Sequence, residues 1–292
     1  MTRVAVVSIA HGRHAHLDNQ HRSLAAGYRL PDDYVVVAIA DPAIAPRTVG
    51  GLARHVEQVP AAVGGALPLA AARNHGVDVA VRRGADVVVL LDVDCLAGGD
   101  LVAAYDEVVT SRPGRIWSGP VTYLPPPPAA GYPVDDPAAL ATLDDPHPAR
   151  PAPRPGAVAH SDDPDLFWSL SFAVAPATWR TVGGFCEEYV GYGGEDTDLG
   201  HAAVARGVGL GWVGSARAYH QHHRVSSPPV EHVDDILRNG RVYRQRWGYW
   251  PMIGWLQAFE AQGLVHRVGD DWARSTPGQP GPPTPTPQEQ TR

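Results

Sequence analysis

Lysine is missing from this chain altogether: all 24 basic residues are arginine. Without that amine there is no Schiff-base nucleophile and no Gly-Lys-Ser/Thr loop to cradle a triphosphate, which excludes Schiff-base enzymes and P-loop nucleotide hydrolases. Cysteine occurs twice, at Cys95 and Cys186, too few for a disulfide framework or a cysteine zinc cluster. No apolar run approaches the ~20 residues of a membrane span. The run Val4–Ala10 is also too short for the apolar core of a signal peptide, so the expectation is a cytoplasmic protein, peripheral to a membrane at most. Positive charge is in deficit, 24 Arg against 31 Asp and Glu, giving a net charge of -7. That balance argues against a nucleic-acid surface and leaves anionic ligands to be held locally, by a metal or a few arginines.

What the chain does have is apolar residues, 44% of 292, enough to bury a full core in one large α/β domain or two packed halves. Val4–Ala10 reads as a buried strand, followed by a polar stretch to Asn19 and a helix ending near Gly27. Further buried strands are expected at Tyr34–Ala40, around His55–Val59 and at Asp86–Leu91, with an Ala-rich helix over Pro68–Val81. This alternation predicts a doubly wound sheet, whose ligands sit at the carboxyl ends of its strands, where Asp41 and the pair Asp92 and Asp94 fall. Beyond a helix at Leu101–Thr110 and a strand at Arg115–Leu124, the segment 125–164 is rich in Pro, Asp and Ala and reads as a long surface loop, either a lid or an insertion. Order resumes at Leu166–Val174, with a helix at Thr197–Arg206, a strand at Gly209–Tyr219 and a helix at Val230–Trp247. The Pro-, Thr- and Gln-rich tail is expected to be disordered.

Three clusters could carry chemistry. Asp92 and Asp94 flank one residue after a buried strand, so alternation would point both carboxylates to one side, as a hard divalent cation requires; an ordinary acidic turn is the alternative. Gly191-Tyr-Gly-Gly-Glu-Asp196-Thr-Asp198 brings glycines, an aromatic ring and three carboxylates to a helix start, either for a closely approaching ligand or as helix caps. His220, His222 and His223 could ligate a metal through neutral imidazole or simply be solvated.

In their order along the chain, Arg73-Asn74-x-Gly76, Val87–Leu91 followed by Asp92-x-Asp94, Val182-Gly-Gly-Phe185-x-Glu187, the Gly-Gly-Glu-Asp stretch and His220 resemble the family 2 glycosyltransferases of the GT-A fold. The Gly-Gly-Glu-Asp part also looks like the C-terminal module of β-galactosyltransferases, and Ala218-Tyr-His-Gln221 is similar to a segment of bacterial chondroitin polymerase. The resemblance implies an α/β protein with a doubly wound mixed sheet flanked by helices, one catalytic domain over 1–273. Within it a nucleotide-binding half would cover about 1–124, the Pro-rich loop 125–164 and an acceptor half 165–273, before the tail 274–292. It further implies a nucleoside-diphosphate sugar as donor, a UDP-sugar foremost, a carbohydrate or other hydroxyl acceptor, and Mn²⁺ or Mg²⁺.

By the same resemblance Asp94 and His220 would coordinate the metal, with Asp92 on the ribose or the metal shell. Asp41, Arg73, Ala10 and His11 would contact the donor. Asp196 would be the base of an inverting transfer, Glu195 would hydrogen-bond sugar, and Tyr192, Gly193 and Gly194 would meet the acceptor. The chain departs from the family in Ala10-His-Gly-Arg13, which lacks the usual Pro-x-Tyr/Phe-Asn, and in Asp41-Pro42, which replaces Asp-Asp/Asn-Gly-Ser/Thr.

Other readings fare worse. A sugar-nucleotide pyrophosphorylase would need a Gly-rich activation loop and a lysine, and a zinc hydrolase would show His-Glu-x-x-His or a similar spacing. A non-catalytic sugar-nucleotide binder of the same fold is the alternative from a different class.

Overall fold

The computed structural model describes residues 2–161 and 163–275. The strands are β1 (Val4–Ala10), β2 (Asp33–Ile39), β3 (Arg47–Val49), β4 (Leu52–Val59), β5 (Val87–Leu91), β6 (Cys95–Ala97), β7 (Arg115–Ser118), β8 (Val121–Tyr123), β9 (Val158–Ser161), β10 (Ser171–Val174), β11 (Gly209–Val213), β12 (Ala218–His220), β13 (Val265–Val268) and β14 (Asp271–Arg274). The helices are α1 (His14–Ala26), α2 (Leu69–Arg82), α3 (Leu101–Ser111), α4 (Pro137–Ala141), α5 (Pro176–Val182), α6 (Glu195–Ala205), α7 (Val233–Trp247) and α8 (Ile253–Ala261).

The described residues cluster into two compact units: the first comprises those up to 191 together with 195–224, the second 192–194 and 225–275. In the first, a nine-stranded mixed sheet runs β3-β4-β2-β1-β5-β10-β7-β11-β9 among the described residues. Strands β4, β2, β1 and β5 are mutually parallel, and β2, β1 and β5 read as apolar runs because both of their faces are covered, while β4, LARHVEQV, is partly exposed near the edge of the sheet. Alternate residues serve opposite faces. Val36 and Ala38 join Leu17 and Leu24 of α1 and Leu101 and Tyr105 of α3 in one core, while Val37 and Ile39 pack with Ala72 of α2 on the other side. Gly76 lets α2 settle on β1, since a Cβ there would collide with Val7 Cγ1.

Three expectations need correction. Helix α1 begins at His14, not after Asn19, because Leu17, Gln20, His21 and Leu24 form a buried stripe whose polar members disguise the period. The spans Arg115–Leu124 and Gly209–Tyr219 are each two strands. β7 and β11 pair in the large sheet, then both cross at Gly119-Pro120 and Gly214-Ser215 into a second sheet, β6-β12-β8. Pro120 has no N–H for a ladder, and a Cβ on Gly119 would collide with the carbonyl oxygen of Ala216.

The Pro-rich stretch 125–164 is not a bare surface loop. Asp136 caps α4 through the N–H groups of Ala138 (3.1 Å) and Ala139 (3.0 Å), with Pro137 at the first helical position. Leu140 and Val134 pack with Leu96, Leu124 and Tyr219, and β9 closes the edge of the large sheet against β11.

The second unit is α7, α8 and the hairpin β13–β14 around Val233, Ile236, Leu237, Leu256, Phe259 and Trp272. Trp250 fits over Gly240, where a Cβ would meet its ring, which places that tryptophan in the core. The tail expected from 274 falls mostly outside the described residues; Arg274 itself ends β14. Among the described residues no helix is long and apolar enough to cross a membrane.

Candidate active site

Strand β5 ends at Leu91, and the chain turns immediately, with Cys95 N–H donating to the Asp92 carbonyl (2.8 Å). A buried polar brace holds the turn. Gln20 donates its amide to the carbonyls of Asp92 (2.6 Å) and Cys95 (2.9 Å), and its oxygen accepts from Ser8 and Tyr34 at 2.7 Å each. Sequence reading missed Gln20, because a fully buried glutamine looks like any polar helix residue until its partners are known.

The turn sends the two carboxylates to different partners, against the alternation expected of a continuing strand. Asp94 meets the histidines. β6 pairs antiparallel with β12 so that Cys95 faces His220, and Gln221 N–H donates to the Asp94 carbonyl (2.7 Å). Donor atoms of Asp94, His220 and His223 thereby lie within 4.8 Å of one another. His16 also hydrogen-bonds Asp94, and Arg13 Nε stands 3.7 Å from it. Burial pushes the Asp94 carboxyl up, but His16, Arg13 and His223 outweigh it and hold the group below its ordinary value. Burial pushes His220 down to about 4, so its imidazole is neutral and keeps a lone pair at neutral pH. His222, third of the histidine cluster, is not part of the group.

Asp92 is paired instead with Arg73, which lies buried between two carboxylates: Nη2 donates to Asp92 Oδ1 and Nη1 to Glu195 Oε1, both at 3.1 Å. Arg73 thus joins the Asp92-x-Asp94 turn to the Gly-Gly-Glu-Asp stretch. The second oxygen of Glu195, Oε2, is buried and has no partner. Burial raises both Glu195 and Asp196; Asp196 Oδ1 accepts from Thr197 N–H at 2.8 Å. Glu195, Asp196 and Asp198 occupy the first turn of α6, which starts two residues ahead of the expected Thr197. Asn74 secures the neighbouring loop by accepting from Phe185 N–H and donating to its carbonyl, both at 2.9 Å.

At the end of β2, Asp41 accepts from Gly12 N–H (2.8 Å), His14 (2.8 Å) and Ala43 N–H (3.2 Å), and the His14 bond chiefly holds its carboxyl below the ordinary range. His11 donates to the Ile39 carbonyl (2.8 Å), and Ala10 closes β1. Beside them a cavity is lined by His14, Asp18, Ile44, Pro46, Arg47 and Arg54.

Tyr192, Gly193 and Gly194 belong to the second unit. Tyr192 stacks on His232 at 4.5 Å, and Asn239 donates to the carbonyls of Tyr192 (3.1 Å) and Gly193 (2.9 Å).

With this geometry in view, the comparisons with known proteins are informative. Residues 165–224, which include Glu195, Asp196, His220 and His223, match the family model described as the N-terminal domain of galactosyltransferase. Validoxylamine A glucosyltransferase of Streptomyces hygroscopicus subsp. jinggangensis is 43% identical over 124 residues, 39% of this chain and 28% of that enzyme. Among solved structures, GalNAc-T7 with UDP, GalNAc and Mn²⁺ superposes with a TM-score of 0.54 at 15% identity, over 90% of this chain and 52% of that one. Staphylococcus aureus TarS residues 1–349 superpose with a TM-score of 0.53 at 13% identity, over 84% and 65%. The fold is that of the GT-A glycosyltransferases. The chain thus spans about half of the GalNAc-T7 chain, and its match spans under a third of the glucosyltransferase. Within a GT-A fold, the groups gathered here occupy the carboxyl edge of the parallel strands, where such sheets bind ligands.

Proposed function

We propose that this chain is an inverting, metal-dependent glycosyltransferase that takes a sugar from a nucleoside-diphosphate donor, UDP foremost, to an acceptor hydroxyl. The observation that carries it is Arg73 holding Asp92 and Glu195 together, which sets a candidate metal cluster and a candidate base on one edge of the sheet. One carboxylate and two imidazoles suit Mn²⁺ better than Mg²⁺, which prefers an all-oxygen shell, and three protein ligands leave positions for donor oxygens. Held by Asp94, His220 and His223, such a cation would supply Lewis-acid stabilisation of the departing diphosphate.

The chain's own residues do the rest. Asp196, its carboxyl raised by burial, takes the proton of the acceptor hydroxyl as that oxygen forms its bond to the anomeric carbon; the bond from that carbon to the diphosphate breaks, and the diphosphate leaves with the electron pair. Attack from the face opposite the leaving group inverts the anomeric centre. The unpartnered Oε2 of Glu195 accepts a sugar hydroxyl, and Arg73 fixes that carboxylate in place. The cavity beside Asp41 holds the nucleoside, and Arg13 lends positive charge next to the metal cluster.

A melting-temperature panel tests this: UDP-, GDP- and dTDP-sugars, each with and without Mn²⁺, on the wild type and Asp94→Asn. The expected result is stabilisation that requires both UDP and Mn²⁺ and is lost in the variant. Stabilisation by no donor sinks the reading. Stabilisation without any release of nucleoside diphosphate leaves a binding protein.

A further inference from the structure

Asp94 does not offer both of its oxygens to the candidate metal cluster. His16 Nδ1 hydrogen-bonds Oδ1, and Arg13 Nε stands 3.7 Å from the same oxygen, whereas Oδ2 faces His223 Nε2 at 3.4 Å. An ionised carboxylate only accepts, so the bond to Oδ1 puts a proton on His16 Nδ1. The same reasoning orients His223: its Nδ1 donates to the Arg224 carbonyl (3.2 Å), so the lone pair of the neutral tautomer sits on Nε2, beside Oδ2. His16 itself is not among the donors gathered within 4.8 Å of one another.

The place of His16 is fixed through its backbone. Gln221, fully buried, donates its side-chain amide to the His16 carbonyl (3.1 Å) and its N–H to the Asp94 carbonyl (2.7 Å). Asn19, one turn further along α1, donates in turn to the Gln221 side-chain oxygen (2.9 Å). One glutamine therefore ties the start of α1 to the turn after β5, and a helix, not a loose loop, presents the imidazole to Asp94. The ring is largely enclosed, with 19% of the side chain exposed. Helix α1 follows directly on Ala10-His-Gly-Arg13, the stretch in which the chain departs from the family pattern, so this support is a feature of the chain's own sequence.

We propose that His16 is the positioning residue of Asp94: held on Oδ1, it turns Oδ2 toward His223 and makes Asp94 a one-oxygen ligand of the cation. This rests on the metal-dependent reading above. Hydrogen bonds of this kind orient a ligating group before the metal arrives, and a carboxylate held by one oxygen takes a single position of the cation's shell and leaves more of it to the oxygens of the donor.

The test is a Mn²⁺ titration of the full chain with UDP present. Free Mn²⁺ is read from its electron paramagnetic resonance signal and corrected by a protein-free titration, and bound imidazoles are read from their nitrogen couplings in the pulsed spectrum. His16→Ala, which α1 accepts because alanine is the best helix former, is expected to weaken Mn²⁺ about tenfold or more. His16→Asn, whose amide nitrogen can stand where Nδ1 does, is expected to restore most of that affinity, with the same nitrogen couplings in the wild type and both variants. Melting curves without metal control for folding. Unchanged affinity in His16→Ala overturns the proposal, as does an equal loss in His16→Asn, which would make the imidazole itself necessary. Disappearance of a nitrogen coupling in either variant overturns it too, by making His16 a ligand. In each of these cases the wild type still binds Mn²⁺ and the transferase reading stands; a wild type that binds none removes that reading and this proposal with it.

Discussion

Asp196 and Glu195 are adjacent in sequence and raised by the same cause, burial, yet their surroundings set them different tasks. Arg73 grips one oxygen of Glu195 at 3.1 Å, whereas Asp196 accepts from a neighbouring N–H and feels Arg73 and Arg150 by charge alone, with no hydrogen bond to either. A carboxylate without a close cation is the better proton acceptor. Asp196→Asn is accordingly expected to leave UDP–Mn²⁺ binding intact and to lower transfer about 10²-fold or more, measured as steady-state rate against the donor-induced melting shift. Normal turnover would move the base elsewhere.

Asp94 illustrates what sequence could and could not reveal at this scale. Its position at the end of an apolar strand marks it as a ligand candidate, and His220 follows from the family resemblance. His223 was visible only as one of three clustered histidines, since nothing in the chain around 220–223 says which imidazole faces back toward Asp94.

Among elements, those with both faces buried were legible nearly to the residue. β1 falls where its apolar run does, and β5 begins one residue later than expected. Legibility failed where a strand changes sheet. The run from Arg115 to Leu124 is β-prone on both sides of Gly119-Pro120, and only that pair marks the crossing; Gly214 does the same for the partner strand, its N–H donating to Ala157 (2.9 Å) in the Pro-rich segment. These crossings carry β8 and β12 to the candidate metal cluster, so the backbone there must be close-packed. Gly119→Ala should therefore push against the Ala216 carbonyl and destabilise the protein by about 1–3 kcal/mol, read from chemical denaturation. A stability change within error would show that the crossing yields easily.

On the scale of the whole molecule, the second unit claims three residues, Tyr192 to Gly194, from the middle of a sequence otherwise given to the first. Asn239, fully buried, holds them through two carbonyls. Asn239→Ala leaves those carbonyls without that donor, and chymotryptic cleavage after Tyr192 is expected to speed up about fivefold or more, corresponding to about 1 kcal/mol of local opening. An unchanged cleavage rate would show that the stack on His232 is sufficient to hold the segment.

The sheet order has a consequence for how the molecule comes into being. β1, β2, β4 and β5 find their partners within the first third of the chain, so that half of the sheet can assemble as soon as it is made. The other half cannot. β7 must wait for β10 and β11, and β8 and β6 for β12, the last strand of the first unit. Such long-range pairings are slow because the intervening loop must be closed before any contact rewards it. A nascent chain thus acquires the cavity beside Asp41 early, while Asp94 meets His220 only after nearly the whole first unit has left the ribosome. Assembly of the candidate metal cluster is therefore among the last events of its folding.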